Sequence, residues 1–120
     1  MDKSPQTLAF LGDAVITLRV RELLADKSHD TNANLHKRAS SYENAANQAR
    51  VFDLLELTEH ERDLASRAHN AKVNTKAKNF SLAEYRRATA LEALVGFWHL
   101  HKQMDKVDKV VALLMYDYRG

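Results

Sequence analysis

Two stretches of this chain are apolar on nearly every face that a helix could present, and each holds a single acid. Residues 8–15 read Leu-Ala-Phe-Leu-Gly-Asp-Ala-Val around Asp13, and residues 88–96 read Ala-Thr-Ala-Leu-Glu-Ala-Leu-Val-Gly around Glu92. An ionised carboxylate in such a setting is neutralised, paired, or given a cation, because a bare buried charge is strongly unfavourable. For either acid alone, an arginine or backbone donors would serve equally well. Two acids that tertiary packing could bring together favour a site, and hard oxygen ligands on rigid helices suit a divalent cation such as Mg²⁺. Gly12 beside Asp13, and Gly96 four residues after Glu92, would let neighbouring backbones approach closely.

Three glycines and one proline in 120 residues leave few turn formers and almost no hairpin signal, so the expected fold is all-α and a single domain, 1–120. The absence of cysteine excludes disulfides and thiolate metal sites and is compatible with a reducing cytoplasm. No apolar stretch is long enough to span a bilayer and no signal-peptide pattern opens the chain, so a cytoplasmic protein with no membrane partner is expected. Apolar spacing predicts a first, central helix over 4–25, with Leu8, Leu11, Val15 and Leu18 on one face. A polar loop over 26–34, a short helix over 35–40 and another helix from 41 through Leu55 follow. Thr58 with Glu61, and Ser81 with Glu84, read as capping boxes. They open helices to about 69 and over 82–101, with a last helix from Asp105.

Positive charge is concentrated. Between 67 and 87 lie Arg67, Lys72, Lys76, Lys78, Arg86 and Arg87 against the single acid Glu84, on a chain whose net charge is +2. Such a stretch is a solvated surface or a phosphate-binding one. His29-Asp30 lacks the other spaced histidines that a metal site would need. His99 and His101 face different ways, His36 reads as a structural hydrogen-bonding residue, and Phe97, Trp98, Tyr116 and Tyr118 read as packing residues.

At Leu11-Gly12-Asp13 and Glu92-Ala93-Leu94-Val95-Gly96 the chain resembles the ribonuclease III catalytic domain. It is most similar to the Mini-ribonuclease III subfamily, which lacks the double-stranded-RNA-binding domain. Leu35-His36-Lys37, Asn47-Gln48-Ala49, Asn70-Ala71-Lys72, Lys78-Asn79 and Tyr85-Arg86 extend the match along nearly the whole chain. The resemblance implies a ribonuclease III-like helical bundle that forms a homodimer and cleaves double-stranded RNA with Mg²⁺, Mn²⁺ being a substitute. It also implies a role in maturing large-subunit (23S) ribosomal RNA precursors, with a ribosomal protein as a compatible partner that presents the substrate. Asp13 and Glu92 would be the catalytic metal ligands, the products carrying 5′-phosphate and 3′-hydroxyl ends. Lys72, Lys76, Lys78, Arg67, Asn70, Arg86 and Arg87 would contact RNA, by shape and charge more than by base sequence.

Departures thin the site. Gln6, Ala9 and Thr89 stand where full-length ribonuclease III has further acids, and Ala68, His69 and Ala77 replace Gly, Arg and Pro of the subfamily's basic loop. The rival expectation is therefore a catalytically silent double-stranded-RNA-binding dimer of the same fold. A third is a structural helical protein whose carboxylates are paired internally.

Overall fold

Six helices and no strand make up residues 3–27, 29–71 and 81–118, the part of the chain that this computed structural model describes. α1 (Pro5–Lys27) starts at Ser4, whose Oγ accepts the Thr7 amide at 3.1 Å. Pro5 occupies the first helical position, where no amide hydrogen is needed. α2 (Asn32–Glu43) is capped by Thr31 and α3 (Ala45–Leu54) by Asn44. α4 (Glu59–His69) and α5 (Leu82–Leu100) open with the two capping boxes expected from Thr58/Glu61 and Ser81/Glu84. α6 is Met104–Leu114.

Between α5 and α6 the chain reverses through a left-handed residue, Lys102, at φ 58°. The Gln103 amide donates to the Trp98 carbonyl at 2.8 Å, and the Lys102 amide donates to that of His99 at 3.2 Å. This is the paired closure of a Schellman turn.

Several boundaries differ from the sequence expectation. Much of the 26–34 loop is helical, since α1 runs to Lys27 and α2 begins at Asn32. The expected helix from 41 is cut at Asn44, whose extended backbone (φ −69°, ψ 159°) caps α3 with its own side chain. Asparagine offers the backbone this alternative to a helical ladder, and here it makes an elbow.

The central helix is α5, not α1. Ala88, Ala90, Leu91, Ala93, Leu94, Val95, Gly96 and Trp98 are all buried, and α5 packs against α1, α3, α4 and α6. α1 buries Leu8, Gly12, Ile16, Val20 and Leu24, a four-residue repeat, while Leu18 is exposed and Phe10 is 83% exposed. Of the expected Leu8-Leu11-Val15-Leu18 stripe, Leu8 and Val15 are buried and Leu11 is half-buried, so the buried face is shifted only in part, away from Leu18 and toward Gly12, Ile16 and Val20. Gly12 and Gly96 account for the shift. A Cβ on Gly12 would lie 1.7 Å from the Glu92 carbonyl oxygen, and one on Gly96 would lie 2.1 Å from that of Leu8. The two backbones meet where neither residue has a side chain.

A second tie joins α4, α5 and α6. Glu61, the capping-box acid of α4, is only 4% exposed. Its Oε1 accepts the Thr58 amide at 2.9 Å, and its Oε2 accepts both Trp98 Nε1 and Lys106 Nζ at 2.7 Å. Burial opposes ionisation of this carboxyl, yet donation from Lys106, the Thr58 amide and Trp98 outweighs it and holds the pKa at about 2.

Two outcomes are expected. Gly96→Ala forces α1 off α5 and should lower unfolding free energy by about 3 kcal/mol, measured by urea denaturation. Because the Glu61 carboxyl is held at about 2, below its ordinary 4.5, its contribution is complete above pH 4.5 and disappears as pH falls toward 2. Stability should drop by up to about 3 kcal/mol across that window, and Glu61→Gln should remove that part of the pH slope.

Candidate active site

The glycine crossing sets the register of the two acids. Asp13 follows Gly12, and the carbonyl that Gly12 accommodates is that of Glu92, so the two side chains line the same cavities. Two open cavities share them. One of 230 Å³ is lined by Gln6, Phe10, Asp13, His69, Arg86, Thr89 and Glu92 among others. The other, 290 Å³, adds Glu43, Asn44 and Gln48 from the elbow between α2 and α3.

The sequence places both acids in buried surroundings, and this holds for only one of them. Glu92 is partly buried, whereas Asp13 is exposed, as are Phe10 and Ala14 on the same uncovered side of α1. The turn of α1 about Gly12 gives one acid to the protein interior and the other to solvent. Burial pushes the Glu92 carboxyl up, Asp13's charge and hydrogen-bonding contact push it further, and Gln48 opposes them, leaving a pKa of about 9.

Two hard oxygen donors carrying more negative charge than their surroundings compensate are a fitting donor set for a divalent cation. Among the described residues no cluster of three or more His, Asp or Glu side chains is arranged to hold a metal. The protein would thus supply two carboxylates, with water or a phosphate completing the shell.

Gln6 and Thr89 line the cavity as neutral side chains, in the places where the resemblance has acids. Thr89 Oγ1 instead donates to the Tyr85 carbonyl at 3.0 Å. Of the cationic candidates, Arg86 reaches this cavity. Arg87 lies 3.3 Å from Asp53 and Arg67 lies 3.3 Å from Asp63. Arg67 lines a different cavity, with Lys3, His60 and Phe97. Asn70 caps the end of α4 in solvent, its side chain 3.2 Å from His69 Nδ1. Lys72, Lys76 and Lys78 lie outside the described residues.

Trp98 is buried and Tyr118 packs edge-on against Tyr42, as expected of packing residues. Tyr116 is not one: it is 73% exposed, with the Arg50 guanidinium 5.1 Å from its ring centre. His36 is exposed on α2. Sequence reasoning assigned no role to Glu43 or Gln48, although Asn47-Gln48-Ala49 was one of the matching segments.

Without a cation, the raised Glu92 carboxyl destabilises the fold progressively as pH rises from its ordinary 4.5 toward 9. In EDTA, Glu92→Gln should therefore raise the melting temperature, by little at pH 5 and by more at pH 8, equivalent to at least about 1 kcal/mol at the higher pH. A variant less stable than the unmodified protein at pH 8 would contradict this account.

Comparison with known proteins bears on what such a site does. The ribonuclease III domain family matches residues 6–103. A Mini-ribonuclease 3 from Staphylococcus aureus is 35% identical over 112 residues, covering 90% of this chain and 84% of its own length. One from Brevibacillus brevis is 39% identical over 110 residues, covering 90% and 82%. A crystal structure of a Fusobacterium nucleatum protein superposes with a TM-score of 0.89 at 30% identity, over 97% of this chain and 94% of that one.

Proposed function

The chain belongs to the ribonuclease III family and is an endoribonuclease, and from that membership we propose that it cuts double-stranded RNA with Mg²⁺ held by Asp13 and Glu92. The observation that carries the assignment is the pairing of two carboxylates from α1 and α5 at an open cavity whose lining includes Arg86 and His69. Relatives that share a third or more of their residues with this chain over most of its length are named Mini-ribonuclease 3. By that likeness the substrate is a large-subunit (23S) ribosomal RNA precursor and the compartment is the cytoplasm. No helix among the described residues is long and apolar enough to cross a membrane.

When bound, the cation supplies the charge that favours ionised water for attack on the phosphodiester and steadies the departing 3′ oxygen. The chain's own groups do the rest. Exposed Asp13 reaches solvent, and so meets both water and phosphate. Glu92 stands on α5 between the buried Leu91 and Ala93, and lines the cavity together with Asp13. Arg86 offers a guanidinium to the phosphate, and Lys72, Lys76 and Lys78 are the further candidates for phosphate contacts. The exposed ridge of Phe10, Ala14 and Leu18 beside Asp13 is an apolar surface that a second copy would cover, bringing two sites to the two strands.

The neutral Gln6, Ala9 and Thr89 favour the rival reading, a silent RNA-binding dimer. Cleavage of a long RNA duplex in Mg²⁺ separates the two, with single-stranded RNA as the control. Asp13→Asn and Glu92→Gln should each reduce the rate about a hundredfold or more while leaving duplex binding intact. Replacing Lys72, Lys76 and Lys78 with alanine should lower the slope of log affinity against log salt by roughly 0.9 per lost contact. Salt-sensitive binding of duplex without cleavage by the unmodified protein would establish the silent dimer instead.

A further inference from the structure

Gln48 lies in the first turn of α3, is 3% exposed, and lines the same cavity as Asp13 and Glu92. Its Nε2 donates to the carbonyl of Glu43, the last residue of α2, at 2.9 Å. The Glu92 side chain lines the same cavity wall, and Gln48 favours its ionised form. Gln48 Oε1 is buried without any hydrogen-bond partner. The orientation follows from the bond to Glu43, since turning the amide over would set its oxygen against the Glu43 carbonyl. Leaving a buried acceptor unsatisfied costs about 1–3 kcal/mol. A side chain present only to fill space or cap α2 would not need that penalty.

Glu43 is itself held. Thr17 Oγ1 donates to Glu43 Oε1 at 2.5 Å. Hydrogen bonds therefore run from Thr17 on α1 through Glu43 to Gln48, and Glu43 and Gln48 line one cavity with Glu92 and Asp13. Thr17 and Asp13 are four residues apart, one helical turn.

We propose that Gln48 is a positioning residue of the site, anchored on the Glu43 carbonyl and holding the Glu92 carboxylate in place beside Asp13 for the divalent cation. This rests on the reading of Asp13 and Glu92 as the metal ligands.

Gln48→Met keeps the volume and removes both amide groups. Mg²⁺ binding without RNA is measured by calorimetry, alongside the melting temperature in EDTA and kcat and KM for duplex cleavage. The expected result is an unchanged or higher melting temperature, because the orphaned oxygen is gone, with Mg²⁺ affinity weakened about tenfold or more. kcat should fall while KM for RNA stays the same. Asp13→Asn is the control. If it binds Mg²⁺ like the unmodified protein, the metal-ligand reading fails. If it loses Mg²⁺ while Gln48→Met retains normal affinity, the metal site stands and the role of Gln48 is overturned. A lowered melting temperature with Mg²⁺ affinity intact would make Gln48 a cap of α2 and nothing more. Should Gln48→Met not fold, Gln48→Leu is read in the same way, and failure of both to fold would overturn the proposal.

Discussion

The contact of two helix backbones at Gly12 and Gly96 governs the rest of this molecule. There is no room at either position for even a methyl group, so α1 and α5 lie as close as helices can. That closeness turns α1 about its axis, selects which of its apolar residues are buried, and brings the residue after Gly12 beside Glu92. The same turn leaves Phe10 and Leu18 in solvent and opens the cavity in front of Asp13. Fold and site are consequences of one steric fact.

Two glutamates show how position sets chemistry. Glu61 and Glu92 both contact buried parts of the bundle, and burial works against ionisation in each. Glu61 receives an ammonium, an indole N–H and a backbone amide, and its carboxyl is held at about 2. Glu92 meets another carboxylate and a single amide, and its carboxyl is raised to about 9. The first is a satisfied structural tie between α4, α5 and α6. The second is left undercompensated by the protein, which is the condition in which a cation is most strongly favoured.

Cationic side chains divide in the same manner. Arg19 is paired with Asp108, Arg87 lies beside Asp53 and Lys106 is taken up by Glu61. These charges serve the bundle. Arg86, one residue from Arg87, turns instead to the cavity of Asp13 and Glu92. Adjacent residues on a helix project about 100° apart, so a pair of arginines reaches two different surfaces.

Helix content, the two capping boxes and the use of Gly12 and Gly96 for close approach were all legible in the residues. Each depends on local spacing or on side-chain size, which a linear chain carries in full. What the chain could not carry was direction. Which face of α1 is buried, that α5 and not α1 is central, and that Asp13 is exposed while Glu92 is not all follow from how two helices rotate about their contact. The break at Asn44 likewise turns on a side chain capping its own backbone, and it places Glu43 and Gln48 at the cavity although they sit 30 and 35 residues from Asp13 in sequence. Periodicity tells a helix that it has an apolar side. Only packing against a partner of fixed shape decides where that side points, because the energy that chooses belongs to contacts distant in sequence.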